Sequence, residues 1–390
     1  MTVGDAGTVP AWVGASPTFS QRAATLFVGV AGLMFAGVGP LLLGALEAAH
    51  RLSAAQIGLA GTAELLVMGL AAGLTGPLLG TVRLRPIAVA CGLLMALLNY
   101  LTVATSGGWL IGLRALNGLP SGALVWLMTG MIVRAPRPER WAGLYLTLQT
   151  LAQLAMVAAL TAFVLVPLGV NGGFLALALL GLLTALCGLA VPGAYAPLLG
   201  DDGLHAGLPD ARGWWALAAG LGMLAFILAV WMYAEPLARQ AGLTEQEAGT
   251  VIAVSLGAQV LGGGAATLLA GRLPWFATLS LSIVALMGVT AALAWLPGPV
   301  PFLACAAAFG FLWLFSTPFL AALAIDADPT RRAAALGSGA QLLGCSAGPL
   351  LASLVVRDGE VRGSLALGIA LALLCLGIVV GLHLTRGRRA

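Results

Sequence analysis

The apolar positions of this chain neither alternate nor repeat at amphipathic spacing; they run on, halt at a short polar break, and resume. Each run is about 20 residues long, which as a helix spans about 30 Å, the thickness of a bilayer's hydrocarbon core. Twelve runs stand out, over 22–46, 56–79, 86–105, 108–132, 141–166, 173–195, 213–236, 248–270, 275–296, 301–325, 333–356 and 363–384. One sizeable polar interruption, GDDGLHAGLPDARG from Gly200 to Gly213, divides them six and six. The pattern predicts an all-α membrane protein with twelve transmembrane helices in two pseudo-symmetric six-helix bundles, 22–196 and 213–385. A tail (1–21), a central loop (197–212) and a second tail (386–390) complete it. A transmembrane barrel would show short strands of alternating polarity instead.

Composition sharpens this picture. The 390 residues are 60% hydrophobic and 8% charged, with a mean hydropathy of +1.03, whereas soluble domains carry about 25% charged residues. All 18 basic residues are arginine, which reads as the coding bias of a GC-rich bacterial genome. A net charge of +4 raises the question of a nucleic-acid partner, but the arginines stand singly or in pairs at helix ends, so none is expected. Thirteen lie on one side of the predicted membrane: Arg22, Arg83, Arg85, Arg134, Arg137, Arg140, Arg212, Arg272, Arg331, Arg332, Arg386, Arg388 and Arg389. Only Arg51, Arg239, Arg357 and Arg362 lie on the other. By the positive-inside rule both termini and the central loop belong in the cytoplasm, at a bacterial inner membrane. No basic segment precedes an apolar stretch at the N-terminus, so no cleaved signal peptide is expected.

Several kinds of chemistry are disfavoured. Cys91, Cys187, Cys305, Cys345 and Cys375 all fall inside apolar runs, without a CxxC or a neighbouring histidine, so neither disulfides nor a metal centre is expected. No GxxxxGK[ST] occurs and lysine is absent, which excludes ATP-driven work by this chain. His50, His205 and His383 lie at loops or helix ends, away from any nucleophile, so an intramembrane enzyme is not expected, nor is a cofactor. Sodium coupling is disfavoured because the membrane interior offers few charged oxygen ligands.

The two halves repeat. RLSAAQIG (Arg51–Gly58) and GLTEQEAG (Gly242–Gly249) occupy equivalent places at an offset of 191, which also matches Phe35 to Phe226 and Gly80 to Gly271. At 192, RWAGLYLTLQ (Arg140–Gln149) matches RAAALGSGAQ (Arg332–Gln341) at both ends. A duplicated six-helix unit with a short central loop resembles the major facilitator superfamily over the whole chain. GPLLGTVRLRP (Gly76–Pro86) is similar to that family's glycine- and arginine-rich loop, although Gly80 and Thr81 replace its Asp-Arg pair. Arg114, Asn117 and Gly118 match the R-x-x-polar-G pattern that the family's drug/proton antiporters carry in their fourth helix. The fifth-helix antiporter signature is missing, while GCSAGP (Gly344–Pro349) in the eleventh reads as a kink and close-packing device.

Arg114 is the one arginine within a predicted segment, about 9 Å below the outer surface. A charge in hydrocarbon costs about 2.5–3.5 kcal/mol, so it needs a partner or a polar cavity. Snorkelling to the interface is one reading. Its face carries Asn117, Gly118, Ser121 and Gly122, however, and such a face looks into a bundle. Glu64, about 12 Å deep, is the one acidic residue well inside a segment and the obvious counter-charge. The pair reads equally well as a structural clamp and as a proton-coupling site.

The resemblance implies that helices 1, 4, 7 and 10 line a central cavity and that 2, 5, 8 and 11 close it. On that basis Asn117, Trp231, Tyr233, Phe309 and Trp313, with the amides Gln149, Gln153, Gln259 and Gln341, are the candidate substrate-binding residues. Packing or an interfacial belt is the ordinary reading of the aromatics, and helix-to-helix hydrogen bonding that of the glutamines. The function implied is secondary active transport of a small apolar or amphipathic organic solute, coupled to protons, export favoured. The expected partners are that small-molecule substrate, protons and the lipid bilayer, and the expected state is a monomer. A non-transporting sensor or assembly factor on a carrier fold, or a lipid or lysolipid flippase, are the alternatives.

Overall fold

The computed structural model describes residues 11–198, 208–295, 298–356 and 361–385. The start of the first tail, the middle of the central loop with His205, Arg357 and the tail 386–390 lie outside the described residues. The first half is built of α1 (Phe19–Gly32), α2 (Met34–Ala48), α3 (Ala54–Leu79), α4 (Leu84–Thr102), α5 (Gly107–Ile132), α6 (Pro138–Ala159) and α7 (Leu165–Gly188). The second comprises α8 (Ala211–Trp231), α9 (Ala234–Gln240), α10 (Glu245–Leu269), α11 (Trp275–Ala294), α12 (Pro299–Ser316), α13 (Phe319–Ala327), α14 (Arg332–Val355) and α15 (Gly363–Leu384). Two separate hydrophobic cores, one per half, confirm the two-bundle architecture.

Local chemistry sets the helix starts. Ser53 and Gln56 form a capping box at α3, and Thr244 and Glu247 form its counterpart at α10. Each side chain satisfies a backbone N–H that the first turn would leave bare. The repeated RLSAAQIG and GLTEQEAG segments are therefore two copies of one helix-start signal.

Three predicted spans are broken helices: the first at Leu33 between α1 and α2, the seventh at Met232 and Tyr233, the tenth at Thr317 and Pro318. The fifth and sixth segments differ from expectation. Helix α6 runs through a π-helical turn, Leu160–Val164, directly into α7, and the chain reverses at Gly169 with φ 61°. The sixth helix then ends at Gly188, seven residues before the predicted 195, because Pro192 and Gly193 stop it while the sequence there stays apolar. The predicted break at 167–172 brackets the reversal at Gly169, while the glycine's positive φ is what makes it.

The halves meet along two related seams. Helix α3 packs on α14, where a Cβ built at Gly339 would lie 2.8 Å from the Gly73 nitrogen. Helix α6 packs on α10, where one at Gly263 would lie 2.7 Å from Thr147 Oγ1. Small residues let these backbones approach where lipid offers no hydrophobic drive. The GCSAGP run does the same inside the second half, with Gly344 and Gly348 lying on the carbonyls of Leu221 and Ala225 in α8. At the arginine-rich end Arg331 ties the halves together, donating to the carbonyls of Val133 (2.5 Å) and Ala135 (3.3 Å). At the opposite end α2 and α9 pack within their own halves, and Ala36, Pro40, Gly44 and Glu47 of α2 are exposed at near-helical spacing.

Candidate functional site

Inside the first bundle, Arg114 and Glu64 meet. Both side chains are 0% exposed, with Nη1 3.8 Å from Oε2. The approach is forced by Gly118: a Cβ there would stand 2.5 Å from the Glu64 carbonyl oxygen, so α5 crosses α3 at backbone contact directly beside the acid. The snorkelling reading fails for the same reason, since the guanidinium points into the core.

The ion pair is longer than a charge-assisted hydrogen bond, which closes at about 2.7–2.9 Å. Two asparagines hold the ions instead. Asn117 Nδ2 donates to Glu64 Oε1 at 2.7 Å, and Arg114 Nη2 donates to Asn99 Oδ1 at 3.1 Å. Asn99 Nδ2 lies 3.5 Å from Asn117 Oδ1, which closes a ring of four side chains from α3, α4 and α5. Above the guanidinium lie the rings of Phe35 (4.8 Å) and Phe174 (5.3 Å) from α2 and α7. Glu64 Oε2, Arg114 Nε and Nη1, and the neighbouring Ser121 Oγ have no hydrogen-bond partner. A cavity of about 10 Å³ adjoins the ring, lined by Asn99, Asn117, Ser121, Phe35 and apolar neighbours; that is about the room one water needs.

Asn117 was expected to contact substrate, but it is spent on Glu64 and sealed inside the bundle, because it sits one turn below Arg114 on the same buried face. Asn99 was missed. Its signal was present, as the one amide in the third apolar run, MALLNYLT.

The remaining candidates divide between the second bundle and the seams. Phe309 is buried edge-on against Phe226 at 6.2 Å, and it borders an apolar cavity of about 20 Å³ with Trp231, Val251 and Phe302. Trp231 and Trp313 meet edge-to-face at 5.9 Å, both half-buried, with Tyr233 also half-buried nearby in sequence. Gln149 and Gln259 flank the α6–α10 seam at 3% and 4% exposure; neither Gln149 amide atom nor Gln259 Nε2 has a partner. Gln153 is committed, donating to the Leu33 carbonyl at the α1–α2 break (3.1 Å). Gln341 is half-buried on α14, against Gly220 of α8.

The second bundle repeats the site's frame without its charges. Ser255 stands where Glu64 does, Thr290 for Asn99, Ala306 for Arg114 and Phe309 for Asn117, at the same offsets of 191 and 192. The crossings match: a Cβ at Gly310 would lie 2.4 Å from the Ser255 carbonyl, as Gly118 does against Glu64. Asn99 bonds the Met95 carbonyl at 2.8 Å, and Thr290 bonds the equivalent Leu286 carbonyl at 2.8 Å.

Two related seams, two six-helix cores and helices broken in the first, seventh and tenth spans define a multi-pass membrane carrier of the alternating-access type. The chain belongs to the Major Facilitator Superfamily, whose family profile matches residues 24–350. Members are secondary transporters, not enzymes. Among solved structures it is similar to an MFS transporter, FucP, in the outward conformation (TM-score 0.74, 15% identity, covering 94% of this chain and 98% of that one). It is likewise similar to a structure of the E. coli fucose:proton symporter FucP (TM-score 0.72, 15% identity, 94% and 98%). No curated protein matches the chain.

Proposed function

We propose that this carrier moves a small apolar or amphipathic organic solute in exchange for protons, in the direction of export, with Glu64 as the proton site and Arg114 as its counter-charge. The observation that carries the reading is the uncharged twin. Ser255, Ala306 and Phe309 make the same helix crossing as Glu64, Arg114 and Asn117, so the fold itself has no need of an ion pair there. Burying one nonetheless is costly, and a carboxylate with one oxygen that accepts no hydrogen bond has somewhere to put a proton. Arginine stays charged, so the carboxylate is the member that titrates.

The aromatic pair Trp231 and Trp313, with Tyr233 and Phe309, supports an apolar or amphipathic substrate, for which Gln149 and Gln259 offer free amides, with Gln153 and Gln341 alongside. The R-x-x-polar-G pattern at Arg114, Asn117 and Gly118 supports antiport and hence export. We read the protein as a monomer of a bacterial inner membrane with cytoplasmic termini, on the arginine asymmetry. A thermal-shift screen against aromatic acids, sugars, lipids and drugs finds the ligand, because binding raises the folded state's apparent stability. Transport of that ligand by reconstituted wild-type protein should then respond to an imposed pH gradient; indifference to the gradient would remove proton coupling.

A further inference from the structure

Arg114 has more support than one carboxylate gives. Its Nη2 donates to Asn99, and its guanidinium lies over two aromatic rings. Each of these contacts is indifferent to the charge on Glu64. Glu64 in turn accepts from Asn117 through Oε1, a bond that a protonated carboxyl also accepts, while Oε2 stays open for the proton. The four-membered ring therefore stays intact in either state of the acid; only the 3.8 Å ion contact changes.

We propose that Asn99, with Phe35 and Phe174, forms a second seat for Arg114, and that this seat lets Glu64 lose its charge without stranding a buried cation. Asn99 is thus a positioning residue: it acts through Arg114 on the state of Glu64. The inference rests on the coupling role given to Glu64, but the seat itself is a claim about Arg114.

The surroundings leave the ring electrically isolated. The helices packed around it carry their other charges at their ends: Arg22 on α1, Glu47 on α2, Arg85 on α4 and Arg332 on α14. Helix α6, which also packs on α5, carries Glu139 and Arg140 at its start, and its Tyr145 hydroxyl donates to the Gly29 carbonyl. Of the remaining titratable groups on these helices, Cys91 and Tyr100 of α4, Cys187 of α7 and Cys345 of α14 are hydrogen-bonded to none of the four ring side chains. Among the described residues, Asn99 and the two rings are the partners Arg114 has besides Glu64.

The test is a double-mutant cycle on the thermal stability of purified full-length protein, with Asn99→Leu, Glu64→Gln and their combination, each measured from pH 5 to pH 8. Glu64→Gln alone keeps the seat and Asn99→Leu alone keeps the anion, so each should be mild at pH 8. The combination strands Arg114, and its Tm should fall below the sum of the single effects by about 1–4 °C. Asn99→Leu should also lose stability on acidification where the wild type does not, and Asn99→Asp should rescue Glu64→Gln by returning a carboxylate to Arg114. Additive single effects, or no rescue by Asn99→Asp, overturn the seat. A non-additive cycle in which Asn99→Leu stays flat with pH upholds the seat and instead counts against proton exchange at Glu64.

Discussion

Replacing Arg114 with leucine removes the cation and leaves Glu64 as a bare carboxylate in a sealed core, held by Asn117 alone. Stripping one partner from a buried pair costs about 3–5 kcal/mol. The protein has an escape that limits the damage, since Glu64 can take up a proton. From an ordinary carboxyl value of about 4.3, holding a proton at pH 7 costs about 3.7 kcal/mol, so the loss at neutral pH is capped near ~4 kcal/mol. The folded variant then binds one more proton than its unfolded chain, and its stability rises as pH falls, by about 1.4 kcal/mol per unit down to the ordinary carboxyl range. Adding Glu64→Gln removes the proton requirement and should return most of the loss, as Ala306 and Ser255 already do in the second bundle. Thermal or denaturant unfolding of Arg114→Leu at pH 5 and pH 8, with and without Glu64→Gln, measures both effects. A loss that is the same at the two pH values and unrelieved by Glu64→Gln would refute the reasoning.

The glycine crossings should be intolerant in both halves. Gly118→Ala and Gly310→Ala each press a Cβ on a backbone carbonyl and should destabilise by about 1–3 kcal/mol or more, read by thermal unfolding; a neutral result at either would mean the helices cross elsewhere. Trp313→Ala should weaken ligand affinity more than it lowers Tm, because the ring is half-buried beside Trp231; unchanged affinity in a well-folded variant returns Trp313 to packing. His205→Cys, in a background lacking the native cysteines, should be labelled only from the cytoplasmic side, and labelling of intact cells from outside reverses the topology. Hydrogen bonds from the Thr244 backbone and hydroxyl hold the Glu247 carboxyl below its usual range. Its capping contribution is therefore complete above the ordinary carboxyl range and is lost only as pH falls through that depressed value. Hydrogen exchange at the start of α10 should quicken there, and a rate flat through that range contradicts the cap.

Much of the fold was readable because bilayer thickness fixes helix length and charge fixes helix ends. The same logic located Arg114 and Glu64, since a charge in an apolar run is conspicuous and demands a partner. What escaped was carried by backbone geometry or by weak polarity. The end of the sixth helix at Gly188 sits in apolar sequence, so hydropathy placed that boundary late. Asn99 was one amide among leucines, and only its contact with Arg114 gives it meaning. Asn117 was assigned to the substrate because the resemblance puts its helix on the central cavity, which does not say whether a given polar residue of that helix meets the cavity or another helix. The correspondence of Ser255, Thr290, Ala306 and Phe309 to the charged site was latent in the repeat offsets, but only the matched glycine crossings make it an argument.

The most direct test of the coupling claim uses Glu64→Gln in proteoliposomes, with the ligand identified by thermal shift. Two quantities are compared with wild type: exchange of labelled for unlabelled ligand at equal pH on both sides, and accumulation driven by an imposed pH gradient. Exchange needs only binding and alternating access, whereas accumulation needs a proton to travel with the cycle. The account predicts that Glu64→Gln keeps exchange and loses gradient-driven accumulation. Full accumulation by this variant would contradict it, and would leave Arg114 and Glu64 as a structural pair with the proton site elsewhere.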